Sequence, residues 1–506
     1  MNHRILQSLI AQPILFSFFI LLCIPLPPAY TTDGQLSPLQ KANERTALTN
    51  VTLIDGNGGQ PKSNRTLIIS EGRISDIFAS GNGKIPAGAK IVDLNGHFVI
   101  PGLIDTHVHL ATRARPPEVL RGVLRSILLG GVTSVRDMGG NGMILRELAN
   151  ESKNGTIAAP RIYFSTFITG NESQFYIVDK KEDGLYVSNG NEPGTTAWFR
   201  RIAPDTDIAR ILSEAKAFGA TGIKIHSGVA PALLKRLCLE ARRQNLKIWS
   251  HAAITPSVPR DAVEAGVEVL SHADMLAFDG VKEMPPLPTI PDYRVKAYEA
   301  VKNVPVESKV IADSLKRMKS KNVILEPTLF IMASFAEAAA DDSNRKRLKA
   351  HFEYACAVTR RAKEIGVELV AGTDAIGGSS PNIHAELQLL VNKGGLTPLE
   401  ALTAATRNGA KAIGIEKDYG TLEVSKVADL IILTANPAED IRNTQTVEAV
   451  MKNGELFRRD KPMPTPPFAE PPIQTRIQKV ENGKLSPHVP IARASYCCPN
   501  RKRLIF

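Results

Sequence analysis

The sequence predicts an α/β protein: a (β/α)8 TIM barrel with a small β-sandwich domain built from both chain ends. Short apolar strands alternate with helical stretches through the middle of the chain, which is the pattern of a parallel barrel. Short strands separated by turns fill both flanks. The 506-residue chain is 43% apolar and 22% charged, so it is long enough to bury a large core and an additional small domain.

Eight strand-and-helix units make up the predicted barrel. The predicted strands are Leu103–His109, Thr133–Asp137, Arg161–Ser165, Gly222–His226, Lys247–His251, Val267–His272, Asn322–Pro327 and Glu368–Asp374. The second strand ends in Arg136 and Asp137, which we expect to form an internal ion pair. Long connections at 171–202 and 276–308 follow the third and sixth strands, where such loops usually form lids or pocket walls.

The flanks predict a second, smaller domain. Near the start, Thr49–Ile54, Arg65–Ile69 and Arg73–Phe78 are strand-like runs separated by glycine-containing turns. Near the end, residues 428–433, 447–452 and 455–457 repeat that pattern. We expect the two runs to pair into one composite domain of residues 30–98 and 417–460, with the barrel at 99–416.

Residues 1–29 have the features of a secretory signal peptide. Arg4 precedes an apolar run from Ile5 to Leu26, and the small residue Ala29 follows. The alternative is an uncleaved membrane anchor, but Pro13 near the middle of the run would weaken a spanning helix. We expect cleavage near Ala29, a secreted or periplasmic protein, and no stable membrane span after cleavage.

The charge of the chain gives no indication of nucleic-acid binding. The formal net charge is +11, but residues 461–506 alone hold eight Lys or Arg and two Glu, a net +6. The remaining body is close to neutral for its size, so we expect no nucleic-acid partner. The 461–506 tail is also rich in proline and is predicted to be disordered. The five cysteines of the chain do not indicate a disulfide framework. The sequence leaves open whether the protein forms a homo-oligomer.

The ends of the predicted strands carry the residues of a metal site. The first strand ends in His107 and His109, whose side chains share one face because strand residues alternate with a period of two. The fifth and sixth strands end in His251 and His272, and the eighth ends in Asp374. All strand ends of a barrel converge on one face. Imidazole and carboxylate groups gathered there suit zinc.

Lys224 in the fourth strand belongs to the same face of the predicted barrel. An ammonium group has no lone pair and cannot bind a metal. Carboxylation of the amine by CO2 would turn it into an anionic oxygen ligand that can bridge two metals. The alternative is a buried lysine paired with a carboxylate.

Three further residues are candidates for substrate binding. His226 follows Lys224 by two residues and could line the mouth of the barrel, Tyr176 lies in the first long connection, and His384 follows Asp374 by ten residues. The alternatives are a packed or solvated histidine and an exposed loop tyrosine.

The motifs together resemble the metal-dependent amidohydrolase superfamily, in particular imidazolonepropionase-related proteins and secreted Xaa-Pro or Xaa-Lys/Arg dipeptidases. The matching segments are Pro101-Gly-Leu-Ile-Asp-Thr-His-Val-His, Gly131-Val-Thr-Ser-Val-Arg-Asp, Ala220-Thr-Gly-Ile-Lys-Ile, Ala371-Gly-Thr-Asp-Ala, Gly395-Leu-Thr-Pro-Leu-Glu-Ala-Leu and Ala428-Asp-Leu-Ile-Ile-Leu. The resemblance covers residues 47–458.

This resemblance implies a site with two divalent metal ions, expected to be zinc. The implied ligands are His107, His109 and Asp374 for one ion, His251 and His272 for the second, and carboxylated Lys224 as the bridge. The implied function is a secreted binuclear amidohydrolase that cleaves the amide C–N bond of a dipeptide or N-acyl amino acid with a metal-activated hydroxide, Asp374 being the catalytic proton carrier.

Other functions on the same scaffold stay open. One is a cyclic-amide hydrolase or deaminase, and another is a non-catalytic binding protein that has lost its ligands. The complete set of six ligand candidates favours an enzyme over a binding protein. Lys224 favours a two-metal hydrolase, because a mononuclear deaminase does not need it.

Overall fold

The computed structural model describes residues 45–171, 181–281, 290–376 and 382–458. The predicted signal peptide, Tyr176 and the predicted tail lie outside these residues. The strands are β1 (Thr46–Leu53), β2 (Lys62–Ser70), β3 (Arg73–Ala79), β4 (Lys90–Asp93), β5 (Phe98–Pro101), β6 (Leu103–His109), β7 (Val132–Asp137), β8 (Arg161–Gly170), β9 (Thr195–Thr196), β10 (Phe199–Ile202), β11 (Gly222–Ile225), β12 (Lys247–His251), β13 (Val269–Ser271), β14 (Ile324–Glu326), β15 (Ala375–Ile376), β16 (Leu430–Leu433), β17 (Val447–Lys452) and β18 (Glu455–Arg458).

Helices connect most of the central strands. They are α1 (Pro117–Leu129), α2 (Gly142–Asn154), α3 (Lys181–Val187), α4 (Ile208–Phe218), α5 (Pro231–Arg243), α6 (Pro259–Ala265), α7 (Ile290–Asn303), α8 (Lys309–Ser320), α9 (Leu329–Glu337), α10 (Asp342–Ile365), α11 (Ile383–Asn392), α12 (Pro398–Ala404) and α13 (Arg407–Ile413), with 3-10 helices at Ala273–Gly280 and Ile441–Gln445. In the described part of the chain, no helix has the length and apolar character needed to span a membrane.

The central strands form the predicted barrel. The strand order is β14-β13-β12-β11-β8-β7-β6-β15, and these strands pair in parallel. The circle closes on the last strand segment, because Leu369 bridges Leu325 of β14 and Ala375 pairs with Val108 of β6. The predicted bounds of the first and fifth strands, Leu103–His109 and Lys247–His251, coincide with β6 and β12.

Part of the first long connection extends the barrel sheet instead of forming an irregular loop. The hairpin of β9 and β10 lies within 171–202, and β10 pairs in parallel with the end of β8. The register joins Phe199 to Phe167 and Ile202 to Gly170. This pairing lengthens β8 beyond the predicted Ser165 and fixes Phe167 close to the strand ends.

Both chain ends build the second sheet, as predicted. The strand order is β18-β17-β16-β5-β1-β2-β3, with β4 beside β1. The strands from the two ends meet where Ile431 of β16 pairs antiparallel with Ile100 of β5. Leu48, Leu67 and Met451 are buried in one apolar cluster, so this sheet has its own core.

Polar side chains join the second sheet to the foot of the barrel. Arg161 at the start of β8 donates to Asp429 and Asn453. Lys452 is buried in β17, and its Nζ donates to the carbonyl oxygen of Ser152 at 3.0 Å. Arg161 is at the amino-terminal end of its strand and Ser152 lies in α2, so neither contact occupies the carboxyl ends of the barrel strands.

Candidate metal centre

His107 and His109 lie at the end of β6 and are held by their Nδ1 atoms. Nδ1 of His107 contacts Oε2 of Glu326 at 2.7 Å, and Nδ1 of His109 contacts the carbonyl oxygen of Gly139 at 2.9 Å. A carboxylate and a carbonyl only accept hydrogen bonds, so each ring carries its proton on Nδ1. Nε2 is therefore the ring atom that carries the lone pair.

Asp374 faces the Nε2 atoms of these two rings. Its Oδ1 lies 3.1 Å from Nε2 of His109 and 3.4 Å from Nε2 of His107. Burial would raise the pKa of this carboxyl, but His107 and His109 reverse the effect and hold the pKa below its usual range. The backbone of Asp374 has a φ of 55°, in the left-handed region, which turns the side chain at the strand end.

His272 completes the group from the opposite wall of the barrel. Its Nδ1 lies 2.9 Å from Oγ1 of Thr328, and that hydroxyl donates to the carbonyl oxygen of Pro327 at 2.8 Å. The hydroxyl proton is used there, so Nδ1 of His272 is the donor and Nε2 again carries a lone pair. His272 and Thr328 both have positive φ values, 73° and 55°. Ligand atoms of His107, His272 and Asp374 all lie within 4.8 Å of one another.

This donor set fits a cation. Nε2 of His107, Nε2 of His272 and Oδ1 of Asp374 are buried and have no hydrogen-bond partner among the described residues. Burial lowers the pKa of His107 to about 4 and that of His272 well below its usual value, so both rings are neutral at physiological pH. Neutral imidazole nitrogens and ionised carboxylate oxygens are ligands that zinc prefers. The observed group is thus a candidate His/His/Asp metal site.

His251 and His226 form a second group of rings next to this site. The ring centroids of His251 and His272 are 4.5 Å apart, and those of His251 and His226 are 4.1 Å apart. Nε2 of His251 is buried without a hydrogen-bond partner within the described ranges, and burial lowers its pKa well below the usual value. Phe167 packs on the outer side of His226, with ring centroids 5.1 Å apart.

Lys224 is completely buried in β11. Its Nζ donates to Oγ of Ser271 at 3.1 Å, and that hydroxyl donates to Oε2 of Glu326 at 2.7 Å. The strand ends therefore bring the six predicted ligand residues to one end of the barrel. The hydroxyl of Ser271 thus links Lys224 to the carboxylate of Glu326.

Two buried acids of this region escaped the sequence interpretation. Glu326 at the end of β14 contacts His107 directly, and Arg136, His107 and Lys224 hold its pKa below the usual range although burial alone would raise it. Asp105 accepts hydrogen bonds from the backbone and hydroxyl of Thr373 at 3.0 and 2.7 Å, which fixes the residue before Asp374. In both cases the sequence shows an acidic residue within an otherwise apolar strand, and this pattern could have indicated a buried functional acid.

The predicted ion pair of Arg136 and Asp137 was wrong. Nη2 of Arg136 donates to Oε1 of Glu326 at 2.6 Å, whereas Asp137 accepts from the backbone nitrogens of Leu110 and Gly139. The two residues are neighbours on one strand, so their side chains point to opposite faces and cannot pair.

The predicted substrate role of His384 is not supported by its contacts. Nε2 lies 2.9 Å from the carbonyl oxygen of Gly130, and Nδ1 lies 3.0 Å from Oγ1 of Thr444. Both ring nitrogens are thus occupied by protein groups, and the ring joins α11 to the start of β7 and to a 3-10 helix. Tyr176 lies outside the described residues, and His226 stays a candidate.

Residues 98–457 match the sequence profile of the Amidohydrolase family. The chain belongs to this family. The match spans the whole barrel together with β5, β16, β17 and nearly all of β18 of the second sheet. This amidohydrolase is accordingly a hydrolase that acts on carbon–nitrogen bonds, in a family that is generally metal-dependent.

Similar proteins agree with the family assignment. Ochratoxinase from Aspergillus niger is 26% identical over 453 residues, which cover 80% of this chain and 85% of that protein. Imidazolonepropionase from Brevibacillus brevis is 25% identical over 409 residues, 73% of this chain and 82% of that protein. The crystal structure of a Xaa-Pro dipeptidase superposes with a TM-score of 0.64 at 21% identity, covering 82% of this chain and all of that one, which supports the fold.

Proposed function

We propose that this amidohydrolase is an exported, binuclear metal enzyme that hydrolyses the amide bond of a small substrate with a free carboxylate. The observation that carries the proposal is that Nε2 of His107, Nε2 of His272 and Oδ1 of Asp374 are buried without a hydrogen-bond partner among the described residues, in three side chains whose ligand atoms lie within 4.8 Å of one another. Three buried ligand atoms without a shared proton favour a bound cation.

The residues divide into two metal positions. His107, His109 and Asp374 would hold one divalent ion, and His251 and His272 the second. Lys224 would bridge them after carboxylation by CO2. The neutral state of the imidazoles and the complete burial of Lys224 support zinc as the metal and a carbamate that is protected from bulk water.

The bound ions would lower the pKa of a shared water and polarise the amide carbonyl, which is the chemistry that two-metal sites supply. Asp374 would accept the proton of that water on a carboxylate oxygen and deliver it to the departing nitrogen. The lowered pKa of Asp374 keeps the carboxylate ionised at neutral pH. The hydrogen bond from Nδ1 of His109 to the carbonyl oxygen of Gly139 fixes this ring beside Asp374.

The substrate is proposed to be a dipeptide or an N-acyl amino acid. The names of two similar proteins, the Xaa-Pro dipeptidase and ochratoxinase, support a small amide rather than a large protein substrate. His226 is the candidate group for the substrate carboxylate, because its ring lies directly against that of His251.

A cyclic amide is the second candidate substrate class. The similarity to imidazolonepropionase, at 25% identity over 73% of this chain, favours it. The same metal positions and the same proton path through Asp374 would serve a ring-opening hydrolysis.

The proposed export of the protein rests on residues 1–29. It is tested separately, by amino-terminal sequencing of the mature protein for a start near Tyr30.

A steady-state panel tests the proposed function. Wild-type protein and Asp374→Asn are compared on Xaa-Pro dipeptides, N-acetyl and aromatic N-acyl amino acids, and lactams. Turnover of an acyl amino acid or dipeptide that Asp374→Asn loses supports the proposal. Strong turnover of lactams, with none for any acyl amino acid or dipeptide, would overturn it in favour of the cyclic amide.

A further inference from the structure

The carboxylate of Glu326 lies behind the candidate metal site and accepts four hydrogen bonds. Oε1 accepts from Oγ1 of Thr106 at 2.5 Å and from Nη2 of Arg136 at 2.6 Å. Oε2 accepts from Nδ1 of His107 and from Oγ of Ser271, each at 2.7 Å. An ionised carboxylate has about four acceptor positions, and all of them are used here. One side chain of β14 is thereby tied to β6, β7 and β13.

We propose that Glu326 is a positioning residue that selects the tautomer of His107 and so prepares this histidine as a metal ligand. The inference rests on the metal-binding part of the proposed function. It adds a residue that does not itself face the metal position.

The tautomer follows from the charge of Glu326. An ionised carboxylate can only accept, so Nδ1 of His107 must carry the ring proton. Nε2 then keeps its lone pair and faces Oδ1 of Asp374 at 3.4 Å. Nη2 of Arg136, 2.6 Å from Oε1, supplies the compensating positive charge within the buried cluster.

The same carboxylate also orients Lys224. The hydroxyl of Ser271 donates to Glu326, so its oxygen is left to accept from Nζ of Lys224 at 3.1 Å. Glu326 therefore contacts His107 directly and Lys224 through Ser271, so it orients two of the proposed ligand residues. Groups that orient metal-bound histidines in this manner typically change metal affinity by 10- to 100-fold when they are replaced.

Glu326→Gln tests the tautomer argument with almost no change in shape. The guanidinium of Arg136 attracts the amide oxygen to its own side, which turns the amide NH2 toward Nδ1 of His107. Nδ1 must then accept, the proton moves to Nε2, and the ligand atom is lost. Glu386→Gln is the matched control, because Glu386 is equally buried in the barrel but accepts from the backbone nitrogens of Leu329 and Phe330.

Metal affinity is measured for the full chain by competition with a chromophoric chelator for Zn²⁺, and Co²⁺-loaded protein gives a visible spectrum of the coordination. Glu326→Gln should bind the metal about 10- to 100-fold more weakly and show altered Co²⁺ bands. Glu386→Gln should match wild type in both measurements. If Glu326→Gln bound the metal as tightly as wild type and showed the same Co²⁺ spectrum, the inference would be overturned, but the proposed function would not.

A second variant covers the case in which Glu326→Gln fails to fold because Arg136 is left without its counter-charge. Arg136→Met combined with Glu326→Met removes both charges and the acceptor that Nδ1 of His107 uses, so it should still bind Zn²⁺ at least about 10-fold more weakly than wild type. Affinity within threefold of wild type in this double variant would also overturn the inference. A wild-type chain that binds no divalent ion would overturn the proposed function, and this inference with it.

Discussion

The buried carboxyl of Glu386 should make the stability of the protein depend on pH. This carboxyl lies in α11, is completely buried and accepts hydrogen bonds from the backbone nitrogens of Leu329 and Phe330 at 3.2 and 2.6 Å. Burial raises its pKa from 4.5 to about 8, because the loss of hydration outweighs the lowering effect of the two backbone nitrogens, and the carboxylates of Asp105 and Glu326 add smaller upward effects. The folded protein therefore binds this proton more tightly than the unfolded chain.

The direction and size of this pH dependence follow from the difference in proton binding between the folded and the unfolded protein. Below pH 4.5 the group is protonated in both states and contributes no difference. Between pH 4.5 and about 8 the unfolded chain ionises first, so the free energy of unfolding falls as the pH rises. Each pKa unit corresponds to about 1.4 kcal/mol, so ionising Glu386 in the folded state costs on the order of 5 kcal/mol.

Glu386→Gln removes this titration. We expect the free energy of unfolding of the variant to exceed that of wild type by an amount that grows by several kcal/mol between pH 5 and pH 9. Urea titrations of both proteins with the same metal content measure this difference. Glu307→Gln is the control, because that side chain is 79% exposed. A difference between Glu386→Gln and wild type that stays constant to within about 1 kcal/mol from pH 5 to pH 9 would refute the reasoning.

Three further substitutions test individual roles. Asp374→Asn should keep the fold and lose at least about 10²–10⁴-fold in kcat, because proton transfer is lost; a kcat above a tenth of wild type contradicts the role of Asp374. Lys224→Ala should lose bound metal and activity, and short carboxylic acids should restore part of the activity; full metal content by elemental analysis would exclude Lys224 as a ligand. His384→Ala should lower the free energy of unfolding by about 1–3 kcal/mol with kcat within threefold of wild type, because the ring bonds only protein groups; a large loss of kcat at unchanged stability would restore the substrate role.

The barrel and the six ligand candidates could be predicted because both depend on local pattern. His107 and His109 share a face by the alternation of a strand, and parallel strands bring His251, His272 and Asp374 to the same end. The two-residue strand β15 and the single Leu369 bridge were less predictable, because the last strand departs from regular pairing where Asp374 turns.

The polar cluster behind the site could not be predicted from spacing. The four donors to Glu326 come from three strands that are 55 to 220 positions away in the chain, and only closure of the barrel brings them together. Arg136 illustrates the same limit, since its neighbour Asp137 was the obvious partner in the sequence but points to the other face. The two protein contacts of His384 likewise depend on the packing of α11 against distant segments.

The metal content of the active wild-type protein tests the central claim most directly. Elemental analysis of protein purified without chelator, combined with its specific activity, should give two divalent ions per chain in fully active material. Removal of the ions should abolish turnover, and their return should restore it. Full activity with one ion per chain or none would contradict the binuclear centre at His107, His109, Lys224, His251, His272 and Asp374.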